Sequence, residues 1–160
     1  MVRMKLFVPT QEKLQVIADW LMDGYLVASD ESRNINVIWN SIIPNHFYSG
    51  NSLFYELPDF GGVLGFRNMI PKFKAHMVFK IWNPDVWTHK LIREGRDLIS
   101  KVREIYELNR ISSQTADDRI VRISEMVGFE VEANLKDDFM WNEQLFDLKL
   151  LGMTGGYNGM

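Results

Sequence analysis

The chain has 160 residues, a net charge of −3 and no cysteine, a length that suits one domain with its own core. Hydrophobic residues make up 46% and aromatic residues 12% of the sequence, which excludes a disordered chain. The acidic balance, with a pI near 5.6, gives no general attraction to nucleic acid or to an anionic membrane. The N-terminal apolar run is too short for a signal or membrane segment, so we expect a cytoplasmic protein without a disulfide framework.

The first half of the sequence predicts one helix among short strands. Lys5 to Pro9 has the pattern of a strand, and Thr10 is a suitable N-cap for a helix from Gln11 to about Tyr25. A shorter apolar segment, around residues 35–43, ends at Pro44. Three further strands are predicted at residues 52–57, 61–69 and 75–82. Their tight connections favour an antiparallel meander.

The second half predicts two amphipathic helices and a closing hairpin. The first helix runs from Lys90 to about Glu107, and a strand follows at residues 110–114. The second helix begins near Asp117 and ends before Gly128, which we expect in a left-handed conformation. The hairpin then has strand patterns at residues 129–135, 139–141 and 144–151, with turns predicted at 136–138 and 142–143.

These last elements carry a resemblance to a known family. The matching positions are Asp117-Asp118-Arg119, Gly128-Phe129, Glu132, Leu135-Lys136-Asp137, Phe139, Trp141, Asp147 and Leu151-Gly152-Met153. They resemble the C-terminal half of GNAT-superfamily acetyltransferases, and most of all the group that acetylates the N-terminal residue of ribosomal proteins. The resemblance covers roughly residues 60 to 153 of this chain.

The resemblance implies a fold. It is an α/β (α+β) domain with a central, mostly antiparallel mixed sheet flanked by helices, in which the fourth and fifth strands run parallel and splay apart. We expect this domain to span residues 1–153, followed by a flexible tail at 154–160. A shared core is expected from Trp20, Phe66, Phe79, Ile123, Phe129 and Leu148.

The activity implied by the resemblance is transfer of an acetyl group from acetyl-CoA to an amine, either a peptide N-terminus or a small molecule. Pyrophosphate would bind at the start of the long helix, where unpaired N–H groups and the helix dipole favour an anion. The cofactor-binding candidates are Phe79, Ile81, Trp87, Thr88, His89, Lys90, Arg93 and Asp117.

One departure from the family pattern falls on the cofactor loop. The family uses an Arg/Gln-x-x-Gly-x-Gly/Ala loop, and its two small positions correspond here to Trp87 and His89. Large side chains there crowd the surface on which a pyrophosphate lies, which puts acetyl-CoA binding in question. Thr88, Lys90 and Arg93 could still supply donors and positive charge; equally, they could form an ordinary capped helix with a solvated basic turn.

Three residues are candidates for proton transfer. Ser124 stands where many GNAT enzymes carry a tyrosine acid, while Glu56 and His76 lie beside the strands that flank the family's acceptor cleft and could act as a general base. The alternative for Glu56 is a solvent-facing strand residue, and for His76 a hydrogen-bonded residue of the sheet. No group of His, Asp and Glu has the spacing of metal ligands, so we expect no metal site.

Two functions remain open at this stage. The first is an N-acetyltransferase that positions a thioester beside an amine. The second is a non-catalytic GNAT-fold binding or assembly protein that has lost the acetyl-CoA site, similar to small phage proteins with degenerate GNAT-like sequences. The substitutions at Trp87 and His89 favour the second function, but the frequency of enzymes in the superfamily places the first function ahead. The oligomeric state is left open, with a dimer as one possibility.

Overall fold

The computed structural model describes residues 4–154, and most of the predicted tail lies outside this range. Seven strands form a sheet in the order β1-β2-β3-β4-β5-β7-β6. The strands are β1 Lys5–Leu6, β2 Leu53–Glu56, β3 Gly62–Ile70, β4 Lys74–Ile81, β5 Arg110–Thr115, β6 Glu130–Trp141 and β7 Gln144–Met153. Neighbouring strands are antiparallel except β4 and β5, which run parallel. The predicted mixed, mostly antiparallel sheet is therefore confirmed.

The helices begin where the sequence supplies a cap. They are α1 Gln11–Asp23, α2 Ile35–Val37, α3 Ile43–Phe47, α4 His89–Tyr106 and α5 Asp118–Met126, with a π-helical segment Ile38–Ile42 joining α2 to α3. Thr10, Thr88 and Asp117 accept hydrogen bonds from backbone N–H groups at the starts of α1, α4 and α5. Among the described residues, no helix is long and apolar enough to cross a membrane.

The sheet separates two apolar layers. On one face, α4 and α5 pack around fully buried residues such as Phe66 and Phe129, with Phe79 partly buried beside them. On the other face, α1 and the α2–α3 segment pack around Phe54 and its neighbours. Trp20 belongs to this second side, where its ring meets Trp82 edge-on at 5.4 Å between centroids. The prediction of one shared core was wrong for Trp20, because the sheet lies between it and Phe129.

The β6–β7 hairpin differs from its prediction at one point. Residues 136–138, predicted as a turn, lie within β6, where the pairing register shifts and Asp137 has a φ of 56°. The chain thus forms a bulge here instead of a turn, and the Asp147 carboxylate accepts the Asp137 N–H at 3.0 Å. The predicted turn at Asn142 and Glu143 is confirmed: both residues have positive φ, as a two-residue hairpin turn with the strands' twist requires.

A gap opens between the parallel strands. β4 and β5 pair only from Lys74 to His76 on β4, and the Ser113 hydroxyl then donates to the Met77 carbonyl at 3.0 Å. Beyond this bond the two strands separate. Backbone N–H and C=O groups change direction at each residue of a strand, so those of Phe79 and Ile81 point the same way as those of Met77. They therefore face the gap. The predicted splay is confirmed, and it leaves an open edge on β4.

Candidate functional site

Two cavities meet at the open edge of β4. The first, of about 450 Å³, lies against α4 and α5 and is called here the helix-side cavity. The second, of about 650 Å³, lies beneath the loop between α1 and α2 and is called here the loop-side cavity. Phe79, Ile81 and Trp87 line both cavities. The gap between β4 and β5 therefore connects the two faces of the sheet.

The helix-side cavity is apolar inside and basic at its mouth. Ile92 and Gly95 of α4 line the interior, as do Ile123 of α5 and Val127 directly after that helix. The polar lining residues are Thr88, His89, Arg119 and Arg122. The Thr88 hydroxyl accepts the Leu91 N–H at 3.1 Å, and at the start of α4 the N–H groups of His89 and Lys90 lie outside the helical ladder. A long apolar molecule with an anionic end suits this shape.

The loop-side cavity is lined by Arg119 of α5 and by four further basic side chains. Arg67 on β3, His76 and Lys80 on β4, and His46 on α3 all line it. Burial, together with the neighbouring charges of Arg67 and Lys80, lowers the pKa of His46 to about 3 and lowers the pKa of His76. Burial and the charge of Arg67 lower the pKa of Lys80 to about 8. The imidazoles are thus neutral at pH 7, whereas Arg67 and Lys80 carry charge.

Negative charge in the loop-side cavity is confined to one residue. Among the described residues that line it, Asp117 is the only acidic one. Its carboxylate caps α5 through the Arg119 N–H at 2.9 Å and forms an ion pair with the Arg119 guanidinium at 2.7 Å. This ion pair raises the pKa of Arg119. No carboxylate is therefore left in the cavity to balance Arg67 and Lys80.

The three proton-transfer candidates lie in different places. His76 lines the loop-side cavity, with Nδ1 3.3 Å from the Ser112 hydroxyl. Glu56 lines neither cavity: its carboxylate is buried in an ion pair with Lys13 at 2.7 Å and is 3.5 Å from Lys5. Ser124 is fully buried in α5, and its hydroxyl has no hydrogen-bond partner among the described residues. The structure brings only His76 to a cavity.

The cofactor candidates are divided between the cavities and the surface. Phe79 and Ile81 lie at the junction of the two cavities, and Asp117 lines the loop-side cavity. Lys90 and Arg93 are exposed on α4 and line neither cavity.

Trp87 leaves both cavities open. Its indole lies in the wall that the two cavities share, and the helix-side cavity has a volume of about 450 Å³ with the indole in place. The Nε1–H group of this indole is buried and has no hydrogen-bond partner among the described residues. An unpaired buried donor at the junction is a group that a ligand in the gap could satisfy.

Sequence reasoning missed most of the charged residues at the site. Arg67, Lys80 and His46 were not proposed as site residues, and neither was Arg122 as part of the helix-side lining. The patterns offered little signal for them, because a charged residue at an alternate strand position or on the outer face of a helix is usually solvated.

The β6–β7 hairpin closes one wall of the loop-side cavity. At its tip, the Asp30 carboxylate accepts the Asn142 N–H at 2.8 Å and the Glu143 N–H at 2.9 Å. The Asp30 N–H donates to the Met140 carbonyl at 2.8 Å. Hairpin residues Phe139 and Leu148 line the cavity, as do residues 25–29 and Ser32 of the loop after α1. We call this set of bonds at Asp30 the hairpin clamp.

Residues 4–154 contain no group of three or more His, Asp or Glu side chains arranged to hold a metal ion.

Comparison with known proteins gives matches at the level of structure. No family model and no curated protein matches the sequence. A GNAT-superfamily phosphinothricin acetyltransferase from Sinorhizobium meliloti, solved with AcCoA, superposes with a TM-score of 0.71 at 9% identity, over 94% of this chain and 88% of that one. A spermidine N-acetyltransferase from Vibrio cholerae, solved with CoA and spermine, gives 0.66 at 16% identity over 95% of both chains.

A third match is to the group that the sequence resembles most. RimL, a ribosomal alpha-N-protein acetyltransferase solved with CoA, gives a TM-score of 0.64 at 14% identity, over 95% of this chain and 94% of that one. These matches span almost the whole described chain and include the parallel, splayed β4 and β5. The chain therefore has the fold of the GNAT-superfamily acetyltransferases.

Proposed function

We propose that the chain is an acetyl-CoA-dependent N-acetyltransferase that acts on a peptide N-terminus or a small amine. The observation that carries this proposal is the gap between β4 and β5. There the backbone groups of Phe79 and Ile81 have no partner strand, and two cavities from opposite faces of the sheet meet. A donor and an acceptor entering from opposite faces would be held together at this point, which is the main requirement of acyl transfer.

The helix-side cavity fits the arm of acetyl-CoA. When bound, acetyl-CoA supplies the acetyl group as a thioester. The free backbone groups of Phe79 and Ile81 suit the amides of the pantetheine arm, and the unpaired Nε1–H of Trp87 adds one donor at the junction. The apolar lining from Ile92 and Ile123 suits the methylene groups of the arm.

The phosphate end would be held by charge in place of a glycine loop. The free N–H groups at the start of α4 supply donors, and His89 and Arg122 line the cavity beside them. Lys90 and Arg93 lie on the same helical turn, exposed near the cavity mouth. Their charges would attract an anionic cofactor through solvent, so this contribution would weaken as the salt concentration rises.

His76 would take the proton that the acceptor amine must lose. Its lowered pKa leaves the imidazole neutral at pH 7. Because Nδ1 faces the Ser112 hydroxyl, Nε2 is the nitrogen left to accept a proton from the amine. The charges of Arg67 and Lys80 would also lower the pKa of a bound ammonium group, and so favour the reactive neutral amine.

A second function is favoured by one observation. Trp87 and His89 occupy the positions that are small in the phosphate loop of the family, and this favours a binding or assembly protein that no longer holds acetyl-CoA. Such a protein would keep the fold and the gap but would release no acetylated product.

Mass spectrometry of a panel of amines and N-terminal peptides, each incubated with the protein and acetyl-CoA, tests the proposal. We expect an acetylated product, and a kcat that falls about a hundredfold or more in His76→Gln while acetyl-CoA affinity stays unchanged. Bound acetyl-CoA with no product from any amine would contradict the proposed activity. An unchanged kcat in His76→Gln would remove the role of His76 alone.

A further inference from the structure

We infer that the loop-side cavity takes an acceptor that carries an anionic group, a carboxylate or a phosphate, beside its amine, and that Arg67 and Lys80 bind this anion. The inference rests on the proposed acetyl transfer, because it names the class of amine that enters that site. It separates acidic amines from polyamines, which carry only positive charge.

The first observation is that these two cations lack partners of opposite charge. Neither Arg67 nor Lys80 forms an ion pair or a hydrogen bond with a carboxylate among residues 4–154. The Arg67 Nε–H group is buried and has no hydrogen-bond partner there. The Lys80 ammonium lies over the ring of Trp20, 5.6 Å from its centroid. Both groups therefore keep donors free for a ligand.

The second observation is that both cations belong to one wall of the cavity. Arg67 of β3 pairs with His76 of β4 in the sheet register, so their side chains share a face. Lys80 lies four residues further along β4, on the same face by the alternation of a strand. The two charges are close enough that Arg67 lowers the pKa of Lys80. An anion bound in the cavity would thus be attracted by both.

The third observation is the cost of this arrangement without a ligand. Moving a cation out of water is unfavourable unless an opposite charge or a hydrogen-bond acceptor replaces the lost hydration. Here Arg67 and Lys80 also repel each other, and Asp117, the one acidic residue of the described lining, is bound to Arg119. A bound carboxylate or phosphate would supply both the missing charge and the missing acceptors.

The same charges disfavour a polyamine. Polyamine recognition needs carboxylates or other acceptors spaced along the ligand, and the loop-side cavity offers no free carboxylate among its described residues. A second ammonium group would lie beside Arg67 and Lys80 and would be repelled. An amine with one anionic group places opposite charges where the cavity has its unpaired cations.

The first test measures anion binding without acetyl-CoA. Calorimetry at low salt compares inorganic phosphate, glutarate and spermidine on the wild-type protein and on Lys80→Met and Arg67→Met. We expect phosphate or glutarate to bind, and each substitution to weaken that binding about ten- to a hundredfold. Lys74→Met is the matched control, because Lys74 lies on the same strand, is exposed and lines neither cavity. Spermidine binding more tightly than both anions would overturn the inference.

The second test measures acceptor choice with acetyl-CoA present. The acceptors are 4-aminobutyrate, phosphoethanolamine, ethanolamine and putrescine, which pair an amine with a carboxylate, a phosphate, a neutral group and a second amine. We expect kcat/KM for one of the anionic amines to exceed those for ethanolamine and putrescine more than about tenfold. Lys80→Met should remove this advantage, and Lys74→Met should leave it unchanged. The better of the two anionic amines identifies the anion.

Two outcomes separate this inference from the proposed function. An anion preference that survives both Lys80→Met and Arg67→Met, or a preference for putrescine, would overturn the inference and leave acetyl transfer in place. A lack of acetyl-CoA binding would contradict the proposed function alone. Anion binding that depends on Lys80 would still show that Arg67 and Lys80 form an anion site.

Discussion

Lys80 illustrates how a single residue can reduce stability and serve a site. Its ammonium group lines the loop-side cavity, has no carboxylate partner among the described residues and has a pKa lowered from 10.5 to about 8 by burial and by Arg67. The folded protein therefore holds this proton less tightly than the unfolded chain does. A charge kept under these conditions is typical of functional sites, where stability is given up for binding.

Lys80→Met should stabilise the protein at neutral pH. Below pH 8 the folded state bears the full cost of the charged ammonium; between pH 8 and 10.5 the unfolded chain binds more protons, so the stability of the wild type rises with pH. We expect the variant to gain on the order of 1 to 2 kcal/mol at pH 7, after allowance for partial exposure, and to lose this advantage near pH 10.5. Urea denaturation at both pH values measures it.

Lys74→Met serves as the control for this prediction. Lys74 is exposed on the same strand, with its ammonium 4.9 Å from the centroid of the Phe73 ring. Because Lys74 is exposed, its substitution should change the unfolding free energy by the same amount at pH 7 and pH 10.5. A loss of stability in Lys80→Met at pH 7 would mean that the ammonium is well solvated or paired in solution.

Two glycines should respond to alanine with opposite signs. Gly95 lies inside α4, where a Cβ would meet only Met4 Cε at 3.5 Å and Val127 Cγ1 at 4.0 Å. Gly95→Ala should therefore raise the unfolding free energy by roughly 0.5–1 kcal/mol. Gly128 has a φ of +114°, which strains a residue with a side chain, so Gly128→Ala should lower it by about 1–3 kcal/mol. Denaturant titration of both variants giving the same sign would contradict this prediction.

At the scale of elements, the hairpin clamp ties the β6–β7 hairpin to the loop after α1. The N–H groups of Glu143 and Asn142 hold the pKa of Asp30 below its usual value, with Arg33 contributing as well. The carboxylate therefore stays ionised in mildly acidic solution, and the clamp should persist there. Because Phe139 and Leu148 of the hairpin line the loop-side cavity, the clamp fixes one of its walls.

Asp30→Ala should loosen the hairpin tip without unfolding the sheet. The amides of Asn142 and Glu143 lose their acceptor, so hydrogen exchange at these two positions should become faster. Glu31→Ala is the matched control, since Glu31 is the exposed neighbour and the carboxylate that accepts the two tip amides is that of Asp30. Unchanged exchange at both amides in Asp30→Ala would show that the clamp contributes nothing to the hairpin.

The order of the elements follows from local patterns in the sequence. Thr88 as a cap and the apolar spacing of the long helix predict α4, and the left-handed Gly128 was expected where α5 ends. The local pattern gave a wrong prediction at residues 136–138. Lys-Asp-Asp is typical of a turn, but in the sheet it forms a bulge whose Asp137 N–H donates to the Asp147 carboxylate. A bulge depends on the partner strand, which no local pattern contains.

The site was much less accessible to sequence reasoning than the fold. His76 was proposed because the resemblance placed it beside the acceptor cleft, and it lines the loop-side cavity, whereas Lys80, on the same face of β4, was not proposed as a site residue. Glu56 was proposed, yet in the structure its carboxylate forms ion pairs with Lys13 and Lys5. Which side of a strand faces a cavity is decided by tertiary packing, and the sequence pattern alone does not contain it.

For the whole molecule, the fold favours acetyl-CoA binding, whereas the residues of the predicted cofactor loop disfavour it. The chain superposes on acetyltransferases at 9% to 16% identity in the three structures compared, and it retains the splayed strands and a cavity on each side of the gap. Trp87 and His89 stand where the resemblance predicts two small residues. Since a fold can outlast its function, the proposed activity depends on whether acetyl-CoA binds to this chain.

Calorimetric titration measures whether acetyl-CoA binds to this chain. We expect a heat of binding and a matching thermal stabilisation, worth about 2.7 kcal/mol at a hundred times the dissociation constant. Lys90→Ala combined with Arg93→Ala should weaken the binding and reduce its salt dependence, while Lys101→Ala, further along α4, should leave it unchanged. No heat and no stabilisation at millimolar acetyl-CoA, with binding restored in Trp87→Gly combined with His89→Gly, would contradict the account.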